Sequence, residues 1–214
     1  MTTNDDKIAK EGYPFIGIAF LMALAGFRFS IFFGLALTAL FVFVVSFFRN
    51  PSRKIPAGEG IIVVPADGTI LSVREGEMLE GNDTTRVSIF MSPLNVHVNR
   101  SPVAGMVEKV VYKKGLFLKA YDENASIQNE QNLVVVRTAH GDQIGFVQIA
   151  GWLARRIICY AKEGETLGKG QIYGLIRFGS RMDVYLPKSF QVCVTVGGKV
   201  KAGETILAQK TGTV

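Results

Sequence analysis

Two short apolar runs, Leu133-Val134-Val135-Val136-Arg137-Thr138 and Ile144-Gly145-Phe146-Val147-Gln148-Ile149, decide how most of this chain folds. A polar His140-Gly141-Asp142 turn separates them. Neither is long enough for a helix, and their β-branched side chains pack better on a pleated sheet than against a helical turn. Similar runs recur at 61–64, 69–73, 87–91, 106–112, 157–160, 182–186 and 191–196, punctuated by glycine. Their periodicity is nearer two than 3.6, the mark of antiparallel strands. The sequence thus predicts a mainly β domain over residues 49–214, closing as a barrel or sandwich, with few helix signals.

A weak internal echo supports that reading. Glu163-Gly-Glu-Thr-Leu-Gly-Lys-Gly170 and Gly197-Gly-Lys-Val-Lys-Ala-Gly-Glu204 each place glycines at two turns around an apolar residue, and residues 74–81 form a poorer third copy. Such pairs suggest the hairpins of lipoyl- or biotinyl-type β-sandwiches. A carrier function does not follow, because Lys199 and Lys201 flank Val200 where a carrier would place one lysine at the tip. The echo is a hint about fold.

Outward from the domain, the N-terminal region changes character. Residues 1–12 are polar, whereas from Gly12 to Phe48 the only charge is Arg28, and ten of the fifteen phenylalanines fall within 15–48. That composition accounts for the positive mean hydropathy of +0.26. Residues 13–48 are expected to anchor the chain in a membrane. Gly26, Arg28 and Ser30 divide the stretch into a shorter arm, 15–25, and a longer one, 29–48, so the expected form is a helical hairpin. Lys7 and Lys10 before it, with Arg49, Arg53 and Lys54 after it, favour the cytoplasm for both ends. The catalytic-sized domain would then lie on the cytoplasmic face of the cell membrane. The apolar run is too long for a secretory signal and no small-residue cleavage site closes it.

The two arms of the charge balance differ as well. Basic and acidic residues are equal in number before Arg49, so the whole net charge of +6 belongs to residues 49–214. A basic domain beside a bilayer is favourably placed against anionic headgroups. Cys159 and Cys193 lie in alternating runs without metal-ligand spacing and read as buried, reduced thiols.

Three segments can carry chemistry. In Arg177-Phe178-Gly179-Ser180-Arg181, a glycine without Cβ lets its peptide bond distort while the next hydroxyl lies close to the preceding carbonyl. That arrangement permits an N-to-O acyl shift, and the resulting ester can break by β-elimination to leave a pyruvoyl group in place of Ser180. Pro65-Ala66-Asp67-Gly68, taken alone, is a hairpin turn. In the segment 92–102, His97 lies between two valines; the other histidine, His140, sits in a polar turn and is expected to face solvent. If a step needs a base near neutral pH, His97 is the better candidate.

Together these segments resemble one family, the short-form phosphatidylserine decarboxylase proenzymes, which are pyruvoyl-dependent membrane enzymes that include archaetidylserine relatives. The resemblance runs through Phe47-Phe48-Arg49-Asn50-Pro51, Pro65-Ala66-Asp67-Gly68, the His97 segment, Asn124-Ala125-Ser126, Asn129-Glu130-Gln131-Asn132, Ile149-Ala150-Gly151, Ala154-Arg155-Arg156-Ile157 and Phe178-Gly179-Ser180-Arg181-Met182-Asp183. It implies self-cleavage between Gly179 and Ser180, giving a β chain of 1–179 and an α chain of 180–214 with a pyruvoyl group derived from Ser180. It also implies a triad for maturation in which His97 acts as base for the Ser180 hydroxyl and Asp67 orients His97. Long-form members carry an Asp and a second His around the matched histidine, where this chain has Asn95 and Arg100, so the later proton donor is unassigned.

The implied reaction converts phosphatidylserine to phosphatidylethanolamine and CO₂. Loss of CO₂ leaves electrons on Cα, and a pyruvoyl carbonyl supplies the sink that side chains lack. The sequence offers no metal-ligand cluster, no phosphate-cradling glycine loop and no lysine motif suited to pyridoxal phosphate, so neither metal nor pyridoxal phosphate is expected. Arg100, Arg155, Arg156 and Arg181 are candidates for the lipid phosphate. The expected partner is bilayer phosphatidylserine and not nucleic acid, and a homo-oligomer is left open. Competing expectations are an archaetidylserine decarboxylase, a pyruvoyl enzyme for a small soluble amino acid, and a membrane-anchored carrier-like β-sandwich without activity.

Overall fold

The computed structural model describes residues 1–79, 81–116, 128–151, 156–177 and 180–211. These fall into two compact units, 1–52 and 53–214.

The first unit is a helical hairpin. Helix α1 (Tyr13–Gly26) starts with a proline in its first turn, and α2 (Ile31–Phe47) is capped by Ser30, whose Oγ accepts the Phe33 N–H at 3.1 Å. The helices lie antiparallel, since the Phe15 ring stacks on Phe48 and Phe20 meets Phe41, both at 5.6 Å. Gly26 makes the close approach possible, because a Cβ there would meet Gly34 Cα at 3.2 Å. The polar residues 1–12 fold onto the open end. Asn50 donates to the carbonyls of Thr3 and Asp6, and Ile8 bridges to Arg49.

The first arm is longer than the expected 15–25 and the second shorter than the expected 29–48. At 1.5 Å per residue they reach about 21 and 26 Å, against roughly 30 Å for a hydrocarbon core. Among the described residues no helix is long and apolar enough to cross a membrane. The hairpin is therefore present, but a membrane-spanning one is not supported. The second arm is shortened at its start, where Phe29 lies in the turn and Ser30 is extended as the N-cap, and at Phe48, which ends α2.

The second unit is mainly β. Its strands are β1 (Ile61–Val63), β2 (Gly68–Leu79), β3 (Asn82–Met91), β4 (Val98–Arg100), β5 (Gly105–Lys113), β6 (Gln131–Arg137), β7 (Gln143–Ala150), β8 (Ile157–Cys159), β9 (Thr166–Leu167), β10 (Ile172–Ile176), β11 (Ser180–Pro187), β12 (Phe190–Val192), β13 (Lys199–Val200) and β14 (Ile206–Lys210). Eight of them form one curled antiparallel sheet, a half-barrel, in the order β13-β2-β3-β11-β7-β6-β5-β9. Smaller sheets, β1-β14-β12 and β4-β10-β8, complete the domain. Where a barrel or sandwich was expected, the large sheet is a half-barrel with two ends, β13 and β9. The core gathers Val87, Ile89, Phe146, Tyr173, Met182 and Val184, with the Phe146 and Tyr173 rings edge to face at 4.8 Å.

The sheet order reads alike from both ends because the domain is built twice. One copy, β4 to β10, is continuous; the other consists of β1–β3 and β11–β14, so the continuous copy is inserted between β3 and β11. Reciprocal backbone bonds record the duplication. The Val63 N–H donates to Pro102 O at 3.0 Å, and the Arg100 N–H donates to Pro65 O at 2.9 Å. Ile70 exchanges bonds with the Gly197-Gly198 pair just as Val107 does with Gly164 and Glu165. A β-bulge falls at the same place in each copy, between Ile70 and Ser72 and between Val107 and Lys109.

This duplication is the content of the echo. Gly164 and Gly170 in one copy, and Gly197 and Gly203 in the other, all have positive φ and flank the two-residue edge strands β9 and β13. The third stretch, 74–81, does not belong to it, since its residues 74–79 lie along β2. The chain leaves one copy for the other after β3 and again after β10, so His97 and Ser180 both stand where a crossing ends.

Candidate active site

Ser180 opens β11, the inner strand on which the two copies meet. Its neighbours in register are Met91 on β3 and Ala150 on β7, and it is fully buried. The hydroxyl donates to the Met91 sulfur at 3.3 Å. Gly179, the other half of the expected cleavage site, lies outside the described residues, as does Phe178.

His97 is also buried, at 1% exposure. Its ring Nδ1 stands 3.0 Å from Asn95 O. A carbonyl oxygen can only accept, so Nδ1 carries a proton, and in the neutral ring Nε2 holds the lone pair that a general base needs. The His97 carbonyl accepts the Ile176 N–H at 3.3 Å, which fixes the histidine's backbone to the strand end that leads toward Ser180.

Asp67 sits between β1 and β2, which do not pair, so the Asp-Gly is not the hairpin turn that it resembles in isolation. Gly68 is required there because a Cβ would stand 2.2 Å from Phe90 O. The Asp67 carboxylate accepts from Arg53 Nη2 at 2.8 Å to each oxygen and from the Ala202 N–H at 2.7 Å. None of its described hydrogen bonds runs to His97. The structure thus brings Asp67 together with Arg53, and His97 with the strand end before Ser180.

The chain's likeness to known proteins bears on this site. Residues 40–208 match the family model described as phosphatidylserine decarboxylase. The phosphatidylserine decarboxylase proenzyme of Geobacter metallireducens is 48% identical over 216 residues, covering 97% of this chain and 98% of the relative. That of Burkholderia cenocepacia is 49% identical over 208 residues, covering 94% and 95%. This chain belongs to the phosphatidylserine decarboxylase family.

Within a phosphatidylserine decarboxylase fold the four candidate arginines separate. Arg100 is buried beside the Asp67 cluster, with Nη1 donating to Gly170 O at 3.0 Å. Burial, then the repulsion of Arg53, brings its pKa down to about 10, against the pull of Asp67 and Glu204. Arg181 is locked into the sheet by Asp183 at 2.6 Å and Ser88 at 2.7 Å. Arg156 is exposed, and Arg155 lies outside the described residues.

Several residues around Ser180 were not singled out by sequence reasoning. Asn99 reaches the Met91 sulfur at 3.8 Å, accepts from Gln148 Nε2 at 2.9 Å, and through Gln148 connects to Asn132. Asn129 donates to Ala150 O at 2.7 Å, beside Ser180 in register. The available signal was polarity inside apolar runs, as Gln148 stands between Val147 and Ile149. Arg53, counted as a membrane-flanking charge, is instead a buried partner of Asp67. Cys159 is half-buried, with burial pushing its thiol pKa up, while Cys193 is exposed, contrary to the expectation for both.

Proposed function

We propose that this chain is a proenzyme that cleaves itself between Gly179 and Ser180, and that its mature form removes CO₂ from phosphatidylserine to give phosphatidylethanolamine. The observation that carries the reading is the burial of Ser180 at the crossing of the two copies, in a chain whose family likeness extends over nearly its whole length. His97 Nε2 takes the Ser180 hydroxyl proton during maturation. Asp67, tied to Arg53, acts on that proton transfer through its charge.

A pyruvoyl group fits the site, because it needs no more room than the serine it replaces, and Met91 and Ala150 flank that position in a dry interior. When formed, it supplies an electron-accepting carbonyl beside the carbon that loses CO₂. The surrounding residues do the rest. Burial excludes water, Asn99 and Gln148 hold Met91 in place, and His97 Nε2 holds a proton for return to the substrate carbon. Arg156 offers its exposed guanidinium to the lipid phosphate.

The hairpin serves as an anchor. Its apolar side chains are open, with Phe29 and Phe32 each more than four-fifths exposed, which suits immersion in the cytoplasmic leaflet of the cell membrane without crossing it. The basic catalytic domain favours an anionic lipid surface.

Mass spectrometry of the purified protein tests the reading. Two chains are expected, the smaller spanning 180–214 with a blocked N-terminus, together with CO₂ release from phosphatidylserine vesicles and none from free serine. An intact chain that decarboxylates lipid at full rate overturns it.

A further inference from the structure

The duplication gives the surroundings of His97 and Ser180 a counterpart elsewhere on the domain. A cavity of about 240 Å³ lies where the second copy repeats the His97 neighbourhood. The correspondence is set by backbone bonds. Lys210 N–H donates to Gly60 O at 2.9 Å as Ile176 N–H donates to His97 O, so Gly60 holds here the place that His97 holds in the other copy. By the same equivalence Ala104 replaces Asp67, and Asp142, which faces Thr138 as Ser180 faces Met91, replaces Ser180. Base, carboxylate and nucleophile are all gone, so the cavity can keep a ligand but cannot repeat the chemistry.

Its charged groups differ from those around His97 and Ser180. The Lys169 ammonium lines the wall, donating to Gly58 O at 2.9 Å, and burial lowers its pKa from the ordinary lysine value. Glu59 stands at the rim, 3.6 Å from His140. Asp142 is neutralised by Lys210 at 2.7 Å. Ile62, Val103 and Phe190 supply an apolar floor. Lys169 and Glu59 then remain as one cation and one anion, and they balance. A cavity of that balance disfavours an anionic headgroup and suits a zwitterion, with phosphate against Lys169 and ammonium against Glu59.

We propose that this second cavity binds the phosphoethanolamine headgroup of a phospholipid without acting on it. The choice of a lipid headgroup rests on the decarboxylase reading, in which this zwitterion is the product.

Chemical-shift mapping on the mature full-length protein in maltoside micelles tests the proposal, with glycerophosphoethanolamine as probe and glycerophosphoserine and inorganic phosphate as comparisons. Saturable shifts are expected at residues 58–62 and 138–142 with glycerophosphoethanolamine, and weaker ones with glycerophosphoserine. Lys169→Glu should weaken binding about tenfold, the size expected for losing one charge-assisted bond, and Lys169→Arg should retain it. Shifts confined to the surroundings of His97 and Ser180 overturn the proposal, as does an equal response to inorganic phosphate alone. Failure of the wild type to cleave itself or release CO₂ would count against the decarboxylase reading, whereas the shift map reports on the second cavity alone.

Discussion

The Ser180 hydroxyl donates to the sulfur of Met91, its cross-strand neighbour in register, at 3.3 Å. A thioether is a weak acceptor, so this contact orients the hydroxyl without drawing off its proton. Met91→Leu conserves volume and should cost under about 1.5 kcal/mol of stability. Self-cleavage should nevertheless slow about fivefold, the equivalent of one neutral hydrogen bond near 1 kcal/mol. A time course of the two fragments on a denaturing gel measures it, and Ser180→Ala in parallel should give no fragments.

The Arg53–Asp67 pair is nearly buried, with 5% and 13% side-chain exposure. Asp67→Ala leaves Arg53 facing Arg100 without its main counter-charge, and the midpoint of urea unfolding should fall by the equivalent of about 3 kcal/mol. Replacing both residues, in Arg53→Met with Asp67→Ala, should recover part of the loss. A double variant no more stable than the single one would refute the charge explanation.

Gly68 and Gly105 occupy the same place in the two copies, and a Cβ on either would lie 2.2 Å from a backbone oxygen, Phe90 O or Arg137 O. Backbone cannot yield as a side-chain tip can. Either Gly→Ala change should therefore cost more than about 4 kcal/mol, read as loss of soluble, cleaved protein. Gly76→Ala meets no neighbour, but its positive φ makes it a milder control, costing about 1 kcal/mol.

Burial raises the Cys159 thiol pKa above its ordinary value. The folded state then holds the thiol proton more tightly than the unfolded chain does. The stability this contributes is complete below the unfolded thiol pKa and is lost as pH rises from there through the folded value. Wild type should lose stability relative to Cys159→Ala over that alkaline window, with a constant difference at neutral pH. Alkylation followed by mass spectrometry should also label exposed Cys193 well before Cys159.

The main strands were legible because their residues announce them. β6 and β7 fall within one or two residues of the runs at 133–138 and 144–149, since each is a strand-length apolar run, β6 partly alternating and β7 buried along almost its whole length. β4, β9 and β13 were not legible. Val98-Asn99-Arg100 carries two polar side chains that are buried only because partners from distant segments meet them, and a two-residue strand has no period to read. At the site, Ser180 and His97 stood out by residue type and order. The Arg53–Asp67 pair and the Asn99–Gln148 contact did not, because they join positions far apart in sequence through a sheet order that only the folded domain reveals.

The insertion of one copy inside the other also governs what becomes of a severed chain. Strand β11 is stitched on both margins, by β3 and by β7, while β12 to β14 are woven through β1 and β2. Cutting the backbone just before Ser180 unties a single thread at a seam, and the shorter fragment stays captive unless the whole fabric unravels.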